Sequence, residues 1–309
     1  MSNFRILVLL FLALLAPSAW AAPADHGILV REAFLYLAPD ATSAKMGNVA
    51  RGREVAILEK SREWLHVFAN VDVGKEVTGW ILDKGVVRAS TPNGDRILFG
   101  EAVDSEAEAS RRRGRRGAAQ DAMRLYTQAA EYFPHSPIAG EALYRSADIR
   151  WQLDREEVMS RPSAKERDPM MRPEIDEEHM TQVMKKFPHS KWSDLAAYAL
   201  IDNKLCGTWE GRSSCPEKEA GIYEKYATEH PESPKAAEAL YEAAWRRSAL
   251  IEIYKTESQM GRAREAKSRA TALAQSIIQK YPQTDWAARA YRLVFLVEQD
   301  LPTHGNTIQ

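Results

Sequence analysis

The sequence predicts an α+β chain of two modules, a small β-barrel near the N-terminus followed by an α-helical solenoid. Two observations carry this. Between residues 27 and 88, short runs rich in β-branched and aromatic residues alternate with turn-prone clusters. From about residue 119 onward a proline phrase recurs in phase with helical patterning: Phe133-Pro134-His135-Ser136, Phe187-Pro188-His189-Ser190, His230-Pro231-Glu232-Ser233 and Tyr281-Pro282-Gln283-Thr284.

Residues 1–22 read as a cleavable export signal. Arg5 supplies the positive start, Ile6 to Ala16 is an apolar run ended by Pro17, and Ala19-Trp20-Ala21 offers a small-x-small cleavage site. The run is too short to span a bilayer well, no Cys follows it to carry a lipid, and there is no twin arginine. The competing reading is an uncleaved anchor. The expectation is a processed chain, periplasmic or secreted. The formal net charge of −1 gives no argument for nucleic acid, and an apolar share of 45% is ordinary for globular protein.

Five strands are predicted within 27–88: Ile28 to Val30, Phe34 to Leu37, Glu54 to Leu58, Trp64 to Phe68 and Gly79 to Leu82. Several alternate apolar and polar, as a sheet with one buried face requires. The series Tyr36-Leu37-x-Pro39, Gly52-x-x-Val55, Trp64-x-x-Val67 and Thr78-Gly79-Trp80-Ile81 resembles the bacterial SH3-like (SH3b) domain. The resemblance implies a small barrel over 27–88 and, since members often bind cell-wall peptides or other proteins, a partner of that kind. Gly79 is expected to supply backbone freedom where its strand begins. Tyr36, Trp64 and Trp80 have two readings: sealing the barrel core, or lining a shallow peptide cleft.

Residues 89–118 read as a charged linker. Thr91-Pro92-Asn93-Gly94 is turn-prone, Glu101 to Glu108 is acidic and Ala-rich, and Arg111-Arg112-Arg113-Gly114-Arg115-Arg116 is densely basic. The basic run is either a solvated hinge or a contact with anionic groups. Such a linker would leave the two modules as separate folding units, with trypsin cutting first at Arg111–Arg116.

The helical module is predicted over 119–301. Proline closes one helix, and the Ser or Thr two residues later caps the next. Ala142, Ala196, Ala239 and Ala290, each eight residues after its proline, are small enough to let two helices approach closely. This grammar resembles the tetratricopeptide family, in the branch of bacterial envelope proteins of the outer-membrane barrel-assembly lipoprotein type. The proline intervals all exceed the about 34 residues of a regular unit, so longer helices or insertions are expected. Residues 154–178, with Pro162, Pro169 and Pro173, read as a surface insertion.

Cys206 and Cys215 are the only cysteines, with Gly207, Gly211 and Ser213-Ser214 between them. In an oxidising compartment they predict a disulfide-closed loop; they lack the histidines of a zinc site and the two-residue gap of a redox pair. No catalytic or phosphate-loop motif is present in the sequence, so no cofactor or metal is expected. His135 and His189 read as helix-end residues, and Glu174 to Glu178 with His179 as a solvated face. Trp192, Trp245 and Trp286 are candidates for a partner surface, or for packing between helices.

The function these readings predict is an exported, non-enzymatic adaptor that binds an envelope protein or a peptidoglycan peptide, with no stable membrane insertion after processing. The alternative is an accessory subunit or regulator of a cell-wall hydrolase, or a weak hydrolase with an unrecognised site.

Overall fold

The computed structural model describes residues 25–304 apart from 73–74, 167–170 and 207–208. The export signal read over residues 1–22 lies outside them.

Alternation in the N-terminal segment builds an antiparallel sheet. Its strands are β1 (Asp25–Leu29), β2 (Ala33–Tyr36), β3 (Lys45–Val49), β4 (Glu54–Ser61), β5 (Trp64–Asp72), β6 (Lys75–Leu82) and β7 (Val86–Val87). All five predicted strands are found, together with β3 and β7. Val67 lies opposite Ile57 on one side and Gly79 on the other, and Leu65 lies opposite Ile81. These residues, with Leu29, Leu35, Val49 and Val55, form a buried cluster on one face.

The sheet is open, which corrects the predicted closed barrel. Its order is β3-β2-β6-β5-β4-β1-β7, so β3 and β7 are free edges that do not pair with each other. The two-residue β7 is too short to offer β3 a ladder. The strands at that end are also engaged elsewhere, since Ile28 and Val87 pack into the helical core with Leu98 and Leu125. Gly79 is corrected too. It sits within β6, not at its start, and has no positive φ. A Cβ there would lie 2.8 Å from the Tyr36 carbonyl oxygen and 2.9 Å from Leu35 Cγ, so glycine is required by close approach of β2.

The segment read as a linker contains α1 (Gly94–Ala109). Its Ala and Glu residues are strong helix formers, and Leu98, Ala102 and Ser105 face inward as a narrow stripe. Glu106 accepts hydrogen bonds from Tyr126 (2.7 Å) and pairs with Arg145 (2.9 Å). Arg51 of the sheet donates to Ser105 at 3.0 Å. The acidic residues of α1 are therefore offset by neighbouring arginines, and sheet and helices share one core.

Eight further helices follow among the described residues: α2 (Ala118–Tyr132), α3 (Ala139–Ser160), α4 (Glu178–Lys186), α5 (Lys191–Ala199), α6 (Ser214–Glu229), α7 (Ala236–Thr256), α8 (Met260–Lys280) and α9 (Asp285–Glu298). From α1 to α5, and again from α6 to α9, each helix packs on the next. Lengths run from 9 residues in α4 to 22 in α3, so the helices form an uneven array. The unequal proline intervals account for that. Residues 154–160 of the predicted insertion belong to α3, and Ile175 is buried, its N–H and C=O both bonded by the Asn203 amide.

The proline phrases act as read, with one difference. Ser190 and Thr284 cap α5 and α9, accepting from the N–H of Ser193 and Ala287. Ser136 and Ser233 are each followed by proline, and there the chain makes a tighter turn before α3 and α7 begin. Their hydroxyls accept from the N–H of Ile138 and Lys235. All four repeat alanines are fully buried.

Candidate functional site

The face of the sheet opposite its buried cluster is aromatic. On β5 the alternation that sends Leu65 and Val67 inward sends Trp64, His66 and Phe68 outward. On β6 the same alternation turns Trp80 and Leu82 outward, and on β2 it turns Phe34 and Tyr36. Trp80 lies opposite His66 across one ladder and Tyr36 across the other. The Trp80 and His66 rings stack with centroids 4.7 Å apart, and Tyr36 meets Trp64 edge-on at 5.5 Å. The three sequence-predicted aromatics are therefore brought together. Trp64 is buried among them, while Tyr36 and Trp80 are half-buried. Phe34, Phe68 and Leu82 extend the patch and are 40–49% exposed. Lys45 Nζ stands 3.7 Å above the Phe34 ring. Sequence reasoning missed Phe34, His66, Phe68 and Leu82, although the two-residue period that singles out Trp64 and Trp80 contains them all.

The helical tryptophans do not converge. Trp192 stacks on Tyr144 (5.7 Å) and Trp286 packs at a tilt against Tyr241 (5.3 Å), in equivalent positions of their repeats. Trp245 belongs to a different group. Its ring lies 5.2 Å from Trp209 and 5.5 Å from His304, and its indole N–H donates to the Thr303 carbonyl at 3.0 Å. The Cys206–Cys215 disulfide closes the loop that carries Trp209. Beneath these rings lies the buried pair Glu219–Arg246, joined at 2.7 Å. Trp209, Glu219 and Arg246 carried no sequence signal, because only the folded loop sets them beside Trp245. Burial, opposed by Arg246, pushes the Tyr223 phenol up to about 12.

His135 and His189 are exposed, and His189 adopts a positive φ of 57° at its turn. Among the described residues no group of three or more His, Cys, Asp or Glu is placed to hold a metal ion, and no helix is long and apolar enough to cross a membrane.

No protein-family model matches the chain, and no curated protein matches it. A solved structure described as the DHF58 filament is 15% identical, with 66% of this chain and 91% of that chain covered, at a TM-score of 0.25. Similarity that low says nothing about fold or function. Neither family that the motifs resemble is supported by a matched relative.

Proposed function

We propose that this chain is an exported, non-enzymatic binding protein that holds an envelope partner, protein or cell-wall peptide, against the open aromatic face of its sheet. The single observation behind this is the run of Phe34, Tyr36, Trp80, His66 and Phe68 on one solvent-facing side. Contiguous exposed apolar area of this kind is characteristic of interaction sites, and aromatic side chains are the usual anchors. The export signal read over residues 1–22 supports an envelope location, as does the closed disulfide, which persists in oxidising compartments.

The test is site-specific photocrosslinking in cells producing the full chain, with the photoreactive residue at position 34, 68 or 80 and a control at exposed Tyr291 on α9. Crosslinks at the three sheet positions to one defined partner, absent at 291 and reduced by Tyr36→Ala, are the expected result. Uniform labelling at all four positions, or none, overturns the reading. Sedimentation with purified cell wall separates a cell-wall ligand from a protein one.

A further inference from the structure

A cleft of about 470 Å³ opens where the sheet meets α2, α3 and α4, lined by none of the residues of the aromatic patch. That volume falls in the range of small-ligand sites, roughly 300–1,000 Å³. Met123, Leu143 and Ala147 give it an apolar wall. Its remaining groups divide sharply into satisfied and unsatisfied ones.

The hydroxyls of Thr127 and Ser146 bond each other at 2.7 Å. Among the charged groups, Glu54 is held by His26 and Tyr132, Arg124 by Asp121, Arg150 by Asp154, and Glu131 by Lys186. Gln182 donates to Glu178 at 3.3 Å, and four groups remain, the His179 imidazole of α4 among them. The side-chain oxygens of Asn70, from β5, and Gln128, from α2, are buried without a hydrogen-bond partner. Both line the cleft, and native interiors tolerate few such unpaired groups. The third is Arg53. Among the described residues its guanidinium has no ion-pair or hydrogen-bond partner. Arg53 lies near enough to Arg124 to repel it.

We propose that this cleft binds a short peptide segment carrying a free carboxylate. Arg53 takes the carboxylate, as a planar guanidinium is built to do. The amides of Gln128 and Asn70 pair with the peptide's own N–H and C=O groups, and an apolar side chain lies on Met123 and Leu143. One unpaired cation matches one carboxylate. A neutral sugar would leave Arg53 unmatched, and a phosphate dianion would carry excess charge. This site is independent of the aromatic face and stands or falls separately from it.

The experiment is calorimetric titration of the full chain with N-acetyl-Ala-Ala-Leu as free acid and as C-terminal amide, with N-acetylglucosamine as neutral comparison. The free acid is expected to bind about tenfold more tightly than the amide, a difference of one charge-assisted contact. Arg53→Gln is expected to level the two. Gln128→Leu should weaken both about tenfold, with the far-ultraviolet spectrum unchanged, while Trp80→Ala leaves the titration unaltered. Equal affinity for acid and amide, no binding of the acid, or preferential binding of the sugar overturns the proposal. So does a Gln128→Leu chain that melts higher and binds unchanged, since the amide would then be only an unpaired group in the interior.

Discussion

Glu219 and Arg246 form a buried ion pair, the two residues being 2% and 6% exposed. Glu219 also accepts from the Cys206 backbone N–H at 2.8 Å and the Trp209 indole N–H at 3.2 Å. One carboxylate thus fixes α6 to α7 and holds the cysteine loop against both. Glu219→Gln keeps the shape but leaves Arg246 short of a counter-charge, with only the more exposed Glu242 remaining. The expected cost is about 2–3 kcal/mol, since removing one partner of a buried pair exposes the full desolvation penalty of the other. Urea unfolding at neutral pH checks this, and a loss below about 0.5 kcal/mol would contradict it.

The disulfide adds to that anchor. Cys206 and Cys215 are 9 residues apart. Closing so short a loop is expected to contribute about 2–3 kcal/mol on the chain-entropy model. Parallel urea melts with and without reductant measure it. Labelling of both thiols in unreduced, denatured protein would reject the bond.

The sequence was most informative where one residue type meets one physical demand. Proline phrases placed the helix breaks, and alternation placed β4, β5 and β6. Alanine at the fixed repeat position identified the close helix contacts. What it could not convey depends on partners distant along the chain. The helix α1 is invisible because its buried stripe is only Leu98, Ala102 and Ser105, and its acidity is offset by arginines elsewhere. The strand β3, Lys45–Val49, has little alternation and owes its existence to β2. For the aromatic face, Tyr36, Trp64 and Trp80 were legible. The cleft at Arg53 was not, since its walls come from five separate elements.

Trypsin provides a test of the shared core. The run Arg111–Arg116 lies between α1 and α2, and Arg112, Arg113 and Arg116 are exposed. Cleavage there is expected first. The two pieces should nevertheless stay together, because Ile28 and Val87 pack among Leu98 and Leu125, and Tyr132 donates to Glu54 at 2.6 Å. Gel filtration of the nicked protein under native conditions should show one species. Two separately folded fragments would restore the picture of independent units joined by a hinge.

Glu224 should make stability depend on pH. Burial raises its pKa, but hydrogen bonds from Arg269 and Arg247 outweigh that, and the net shift is below the ordinary 4.5. A depressed carboxylate contributes stability above its unfolded pKa and loses it as pH falls through the folded one. Glu224→Gln is therefore expected to cost about 1 kcal/mol at pH 7, a modest figure because Arg269 is half exposed and screened. The gap between the two proteins should close below about pH 4. An equal gap at pH 7 and pH 3 would show that the side chain acts through shape alone.

The tyrosine ten residues after a proline meets the residue four after the next proline, three times along the chain. Tyr144 takes Trp192 at 5.7 Å, Tyr198 takes Lys235 at 5.2 Å, and Tyr241 takes Trp286 at 5.3 Å. This is a ladder of contacts between successive repeats, and Trp192 and Trp286 occupy equivalent places in it. Gly140 makes the case sharpest, for a Cβ there would sit 2.7 Å from Trp192 Cδ1. Alanine is favoured over glycine in a helix by about 1 kcal/mol, so Gly140→Ala should stabilise if α3 were free of its neighbour. The rigid indole cannot yield cheaply, and the expected outcome is a loss of about 1–3 kcal/mol from overpacking. Trp192→Ala, which removes the obstacle, should cost about 3 kcal/mol alone. Because the two residues touch, their effects cannot add, and the double variant should be more stable than the sum predicts. Strict additivity in the double-mutant cycle would place Trp192 away from α3.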